Sequence, residues 1–199
     1  MNEHEAPTKI GWVGASRIND IMAKGRGGSE AVTRKNYKAE LIAMRLTGER
    51  QESYTSPAML WGIENEPNAK RAFEFLKDVI IVDTPFVPHP DIDWAGASPD
   101  GLVGDDETVE IKCPNTATHI DYLLSGVAPT AYIKQIQWQL CVTGRKRCNF
   151  ISYDPRMPID LQLFHVVVER DEKLISEIAD AVKLFLYEIE NTIKALHSL

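Results

Sequence analysis

The chain has 199 residues, 44% of them hydrophobic and 26% charged, with a formal net charge of −7, and its length suits a single domain, 1–199, with a core of its own. No apolar run reaches membrane-spanning length and no signal-peptide core opens the chain, so neither a membrane span nor a secretory leader is expected, and the cytoplasm is the expected compartment. Cys113, Cys141 and Cys148 are widely spaced with no CxxC pair, which argues against a disulfide framework, structural zinc or an iron–sulfur cluster and reads as small buried hydrophobes.

The charge is uneven. Residues 9–50 carry Lys9, Arg17, Lys24, Arg26, Arg34, Lys35, Lys38, Arg45 and Arg50 against Asp20, Glu30, Glu40 and Glu49. Lys134, Arg145, Lys146, Arg147 and Arg156 form a second basic set, and acid concentrates in 83–107 and toward the C-terminus. A basic surface on an acidic body is compatible with DNA binding but predicts no tight non-specific binding.

Residues 1–8 are polar and expected to fray. Gly14 to Met22 predicts a short helix with Ser16 at its N-cap and Ile18, Ile21 and Met22 on its apolar face. Lys24-Gly25-Arg26-Gly27-Gly28-Ser29 is a glycine-rich basic loop. Composition favours a flexible linker there; the alternative is a phosphate cradle of backbone N–H groups with Arg26. The spacing then predicts a helix over 31–46, with Tyr37, Leu41 and Met44 as its stripe and Gly48 as its stop. Ser56-Pro57 opens the next helix, with Pro at the first position. Glu64 and Glu66 fall near its middle, Pro67 is expected to kink or restart it, and Ala69, Ala72, Phe73 and Leu76 continue the apolar face. Taken alone, Glu66 reads as a solvated surface acid.

Val79 to Val82 and Phe86-Val87 read as strands. The stretch that carries chemistry follows. Asp100-Gly101 ends one extended run, and Val109-Glu110-Ile111-Lys112 forms the next strand across the Gly104-Asp105-Asp106-Glu107 turn. Period-two alternation puts Glu110 and Lys112 on one face and Val109 and Ile111 on the other, with Asp100 within reach of the Glu110 face. Adjacent carboxylates repel unless a cation sits between them, and hard oxygen ligands suit Mg²⁺ or Mn²⁺. A lysine beside such a cation can hold an attacking water, which is equipment for phosphodiester hydrolysis. The bare pattern also fits an ordinary hairpin with a surface Glu/Lys pair.

Thr116 to Ser125 predicts a short helix ended by Gly126, and Pro129 starts a longer one that stops at Gly144. On it Tyr132, Gln135 and Gln139 share one face, which suits either a polar site or a solvent face. Arg147 to Tyr153 and Asp160 to Val168 read as paired strands around Asp154-Pro155. From Asp171 onward, Leu174, Ile178, Val182, Phe185, Ile189, Ile193 and Leu196 mark an amphipathic helix.

Ser98-Pro99-Asp100-Gly101 followed by Glu110-Ile111-Lys112-Cys113-Pro114 resembles the active-site core of the PD-(D/E)xK nuclease superfamily, in particular the lambda exonuclease and YqaJ-like viral recombinase group. The likeness extends to Gly11-x-x-x-Ala15-Ser16, Trp61-Gly62-x-x-x-Glu66, Ala131-Tyr132-x-x-Gln135-x-Gln137, Tyr153-Asp154-Pro155-Arg156-Met157 and Val167-x-Glu169-Arg170-Asp171-Glu172-Lys173. It implies an α/β (α+β) fold, a restriction-endonuclease-like core with a central mixed sheet flanked by helices. The implied activity is Mg²⁺-dependent 5′→3′ digestion of one strand of linear double-stranded DNA to mononucleotides, with Mn²⁺ able to substitute. The implied partners are two further copies in a homotrimer ring and a phage single-strand annealing protein, within a bacterial host cell.

Carried onto this chain, the resemblance makes Asp100, Glu110, the Ile111 carbonyl and Glu66 the metal site. Lys112 orients the nucleophile, with Gln135 and Tyr132 in support. The terminal 5′-phosphate falls to Lys9, Ser16 and Arg26, and Met59 takes the place of an apolar wedge at the DNA end. Lys9 replaces a family arginine and meets phosphate as a point charge, not a bidentate fork. Competing readings are a sequence- or structure-specific endonuclease with the same metal core and a non-catalytic DNA-end-binding protein. No base-reading element supports the first, and the second does not require Glu66, Asp100, Glu110 and Lys112 together. A CRISPR-associated relative would need cluster cysteines at spacings this chain lacks.

Overall fold

The strand that carries Glu110 and Lys112 lies at the centre of a five-stranded sheet. In the computed structural model, which describes residues 9–50 and 55–199, the strands are β1 (Ile81–Val82), β2 (Val87–Pro88), β3 (Gly96–Ala97), β4 (Gly101–Val103), β5 (Glu107–Lys112), β6 (Arg147–Tyr153) and β7 (Leu163–Glu169). The sheet order is β1-β4-β5-β6-β7, and β2 and β3 form a separate pair. Only the β5–β6 pairing is parallel; the others are antiparallel. A parallel neighbour needs a crossover, and two helices, α4 (Thr116–Ser125) and α5 (Thr130–Thr143), supply it. The remaining helices are α1 (Ile18–Ile21), α2 (Val32–Thr47), α3 (Pro57–Lys77) and α6 (Glu172–Leu196). The expected fraying of residues 1–8 lies outside the described residues.

Alternation along β5 decides what each face meets. Val109 and Ile111 pack with Ile151 and Tyr153 of β6 against Ala69 and Phe73 of α3. On the opposite face α5 places Ile136 and Leu140 against Cys148, Phe150 and Phe164. A further layer of α1, α2 and α6 closes over α5, with Ile18, Tyr37, Leu41, Trp138, Ile178, Val182, Phe185 and Ile189 buried together. Each fully buried side chain of this size contributes roughly 1.5–3 kcal/mol. None of the helices is long and apolar enough to cross a membrane among the described residues.

Several sequence expectations need correction. Ser16 does not cap a helix: Ala15–Arg17 forms a 3₁₀ turn whose cap is Gly14, and Ser16 is exposed within it. Asp100-Gly101 does not end an extended run; Gly101 opens β4, opposite Val109, and Asp100 stands just before it. The stretch from Val79 pairs only over Ile81–Val82, and 159–161 is a 3₁₀ turn, so β7 begins at Leu163. Pro67 neither breaks nor restarts its helix, which runs unbroken from Pro57 to Lys77. The proline costs one N–H bond, but burial of Asn65, Ala69 and Phe73 on either side of it holds the helix together.

On the α3 side of the sheet His165 lies tilted against Phe73, at 5.0 Å between ring centres, and Nε2 donates to Asn149 Oδ1 at 2.8 Å. Burial, and then the charge of Lys77, hold this imidazole down at about 4 instead of 6.5. Protonation therefore favours the unfolded chain. The stabilisation is complete above pH 6.5 and is lost as pH falls through about 4. His165→Gln keeps a donor for Asn149 without a titrating ring. Chemical denaturation between pH 4 and 7 should give a flatter stability curve for this variant than for wild type; equal slopes would contradict the assignment.

Candidate active site

Glu110 is 1% exposed, and three side chains hold its carboxylate. Gln135 Nε2 donates to Oε1 at 2.6 Å and Gln139 Nε2 to Oε2 at 2.7 Å. Lys112 Nζ lies 2.5 Å from Oε1. The face of α5 that carries Gln135 and Gln139 is thus a polar site and not a solvent face. Tyr132, one turn earlier on the helix, puts its ring 5.0 Å from Lys112 Nζ, a cation–π distance. Burial pulls the Lys112 ammonium down, but the charges of Glu110 and Asp100 more than offset this and leave it raised.

Asp100 reaches the same volume from the other strand. Its backbone N–H donates to Val109 O at 3.0 Å, and its Oδ2 accepts from Ile111 N at 2.7 Å. The neighbouring glycine is a packing requirement: a Cβ on Gly101 would meet Ile81 Cγ2 at 2.2 Å. Asp100 has no ammonium among its hydrogen-bond partners in the described residues. Burial first, and then the Glu110 charge, push its carboxyl well above the usual carboxylate range, with Glu66 adding a weaker push. Glu66 lines the same cavity, of about 370 Å³, with Asp100, Ile111, Lys112 and Tyr132. It is bonded outward to Lys70 Nζ at 3.1 Å.

Three carboxylates and two ammoniums therefore share this region, and of the three carboxylates Asp100 is the one that makes no direct ion pair among the described residues. A divalent cation fits that donor set. Among the described residues no three His, Cys, Asp or Glu side chains are gathered tightly enough to hold a metal by themselves. Mg²⁺ takes one or two carboxylates and fills its remaining positions with water and substrate phosphate, so it does not require such a group. Asp100, Glu110 and the Ile111 carbonyl would hold it, with Glu66 beside them.

A second cavity, of about 490 Å³, opens next to the first. Lys9, Ser16, Arg17, Arg50, Ser98 and Gln135 are among its walls, and Met59 lines both cavities. Lys9 Nζ donates to Ser98 Oγ at 2.7 Å. The fold thus brings Lys9, Ser16 and Met59 to one cavity together with Gln135. Arg26 is not among the walls; it is exposed on a 3₁₀ turn, Arg26–Gly28, at the far end of α1. The sequence run 9–50 is also less basic in space than in sequence. Arg17 pairs with Asp20 and Glu40, while Arg34 and Lys38 pair with Glu30 and Glu188.

Four residues at the site carry no assigned role in the sequence reading. Gln139 was legible only as a member of the α5 stripe. Ser98 stands within its motif, Arg50 within the basic run, and Lys70 gave no signal. Beside the first cavity, the Tyr153-Asp154-Pro155-Arg156 run serves as a clamp. Arg156 bonds both oxygens of buried Asp154, at 2.8 and 2.9 Å, and lies over the Trp61 ring of α3. That hydrogen bonding pulls the Asp154 carboxyl down to about 2.

Known proteins share the fold. An alkaline exonuclease from Laribacter hongkongensis is 44% identical, with 96% of this chain and 93% of that one covered and a TM-score of 0.88. A structure of the same exonuclease in complex with dAMP gives 45% identity over 94% of this chain and 92% of that one, with a TM-score of 0.87. A phage-related exonuclease from Haemophilus somnus 129PT shares the fold at 15% identity, covering 93% and 96% of the two chains with a TM-score of 0.74. Residues 6–146 match the model of the YqaJ-like viral recombinase domain, and the chain belongs to that family.

Proposed function

We propose that this protein is a Mg²⁺-dependent 5′→3′ exonuclease that digests one strand of linear double-stranded DNA to mononucleotides. Family membership and 44% identity to an exonuclease over nearly the whole chain make it a deoxyribonuclease with a role in recombination. The finer reading rests on one observation: the Glu110–Lys112–Asp100 cluster, in which Asp100 makes no direct ion pair among the described residues, opens beside a cavity lined by Lys9 and Ser16.

The cation, when bound, neutralises charge on the scissile phosphate and favours hydroxide over water as nucleophile. The chain's own groups do the rest. Asp100 and Glu110 present oxygens, and Gln135 and Gln139 fix the Glu110 carboxylate so that it cannot rotate away. Lys112, held by Glu110 and the Tyr132 ring, keeps a positive charge where the attacking oxygen must develop a negative one. In this reading Lys9 and Ser16 offer donors to a terminal 5′-phosphate, and Met59, 52% exposed and lining both cavities, separates the strands at the duplex end.

A domain of this size has a radius of gyration of roughly 16 Å and cannot surround a duplex. Exposed Lys24, Arg26 and Lys35, which form no ion pair among the described residues, provide few phosphate contacts on an acidic body. Repeated removal of nucleotides therefore calls for a topological tether, and a closed homotrimer with basic faces inward supplies it. Its product, a 3′ single strand, is the substrate for an annealing protein. The test pairs strand polarity with mass. A duplex labelled at its 5′ ends should release label as mononucleotide at once, and one labelled at its 3′ ends only late. Sedimentation equilibrium should give about 67 kDa, three copies of the 22.4 kDa chain. Early 3′ release would reverse the polarity, and a monomer that digests long DNA processively would remove the ring.

A further inference from the structure

Lys70 sits on α3 one turn after Glu66 and is unusually enclosed for a lysine, with its side chain 19% exposed. Its Nζ contacts Glu66 Oε1 at 3.1 Å and Asp83 Oδ1 at 2.7 Å. Asp83 lies just beyond β1, is 84% exposed and has its own charge offset by Lys70. The ammonium is thus tethered between a loop and Glu66, whose side-chain partner among the described residues it is. Glu110 has two glutamines and a lysine, and Asp100 has the Ile111 N–H; for Glu66 the structure gives Lys70.

A free glutamate three bonds from its backbone loses roughly 1–2 kcal/mol of side-chain entropy when it is fixed at one place. A carboxylate already held by a hydrogen bond loses less, which is why groups that orient metal ligands affect affinity. Lys70 also brings a positive charge toward the cavity, which opposes cation binding. Asp83, in contact with that ammonium, offsets part of its charge, which leaves orientation as the effect to be tested.

We propose that Lys70 is a positioning residue: anchored by Asp83, it holds Glu66 at the edge of the Asp100–Glu110 site and so tightens binding of the divalent cation. The inference rests on the metal-dependent reading above. It does not involve Lys70 in the chemical step.

Calorimetric titration of Mn²⁺ into the full-length protein, without DNA, tests it with wild type, Glu66→Gln, Lys70→Met and Lys70→Arg. Lys70→Met should weaken binding by about tenfold, within the range usual for groups behind a metal ligand. Lys70→Arg, which keeps a donor at the same place, should restore most of it. In assays of digestion the Lys70→Met variant should need more Mg²⁺ for half-maximal rate but reach the wild-type rate at saturation. Asp83→Asn, remote from the cavity, should weaken Mn²⁺ binding in the same direction and by less, and it serves if Lys70→Met does not fold. Unchanged or tighter binding by Lys70→Met, with weaker binding by Glu66→Gln, would overturn the role of Lys70 alone. Unchanged binding by Glu66→Gln would remove Glu66 from the metal site and the proposal with it. A lower saturating rate with unchanged affinity would also overturn it.

Discussion

Lys112→Ala is expected to slow DNA digestion by roughly 10² or more at saturating Mg²⁺, because it removes a fixed charge at the reacting centre. Cation binding should survive, since Asp100 and Glu110 remain. The side chain has a second task that makes the variant informative. Glu110 is 1% exposed, and without Lys112 it keeps only the two glutamine amides. Removing one partner of a buried ion pair costs about 3–5 kcal/mol, so the metal-free variant should melt well below wild type, and added Mn²⁺ should recover part of the difference. Asp100→Ala and Glu110→Ala should lose both cation binding and nearly all activity. Single-turnover rates at several Mg²⁺ concentrations, read beside thermal melts, separate these effects. Wild-type cleavage by any of the three variants would dismiss the site assignment.

A duplex with a 5′-phosphate is expected to be digested faster than the same duplex with a 5′-hydroxyl, and Lys9→Ala should erase most of that preference. Lys9 Nζ is bonded to Ser98 Oγ, two residues before Asp100, so it is held where a phosphate entering the cavity would lie beside the Asp100–Glu110–Lys112 cluster. A charge-assisted bond of this kind contributes about 1.5–3 kcal/mol, a factor of roughly 10 or more in rate for substrates that depend on it. Ser16→Ala, which removes a neutral donor, should cost less. Arg26→Ala should also have the smaller effect, because Arg26 is on a separate turn and does not line the cavity. Rates on the two ends that are equal in wild type would count against the pocket. An Arg26→Ala loss exceeding that of Lys9→Ala would require the 24–29 loop to fold over the cavity when DNA binds.

How much of this was legible in the sequence depended on whether the signal was local. Period-two alternation placed Glu110 and Lys112 on one face of β5 and Val109 and Ile111 on the other, and the sheet obeys it because the two faces meet different helices. Helix stops at Gly48, Gly126 and Gly144 were readable because each residue there adopts a positive φ that glycine takes at little cost. Pro67 misled because propensity describes an isolated helix, and burial of Asn65, Ala69 and Phe73 overrides it. Partners far apart in sequence left no trace. Nothing in 34–38 announces Glu188, and nothing near Glu66 announces that Lys70 would be tethered to Asp83. Gln139 lay between these cases: its spacing from Gln135 was visible, but its bond to Glu110 depended on how α5 crosses β5.

The most direct test of the metal-dependent, end-requiring reading is mononucleotide release from two forms of one plasmid, a covalently closed circle and its linear 5′-phosphorylated product, each with Mg²⁺ and with EDTA. The account predicts steady release from the linear form with Mg²⁺, none with EDTA, and an intact circle throughout. Nicking of the circle, or digestion of the linear form in EDTA, would contradict it.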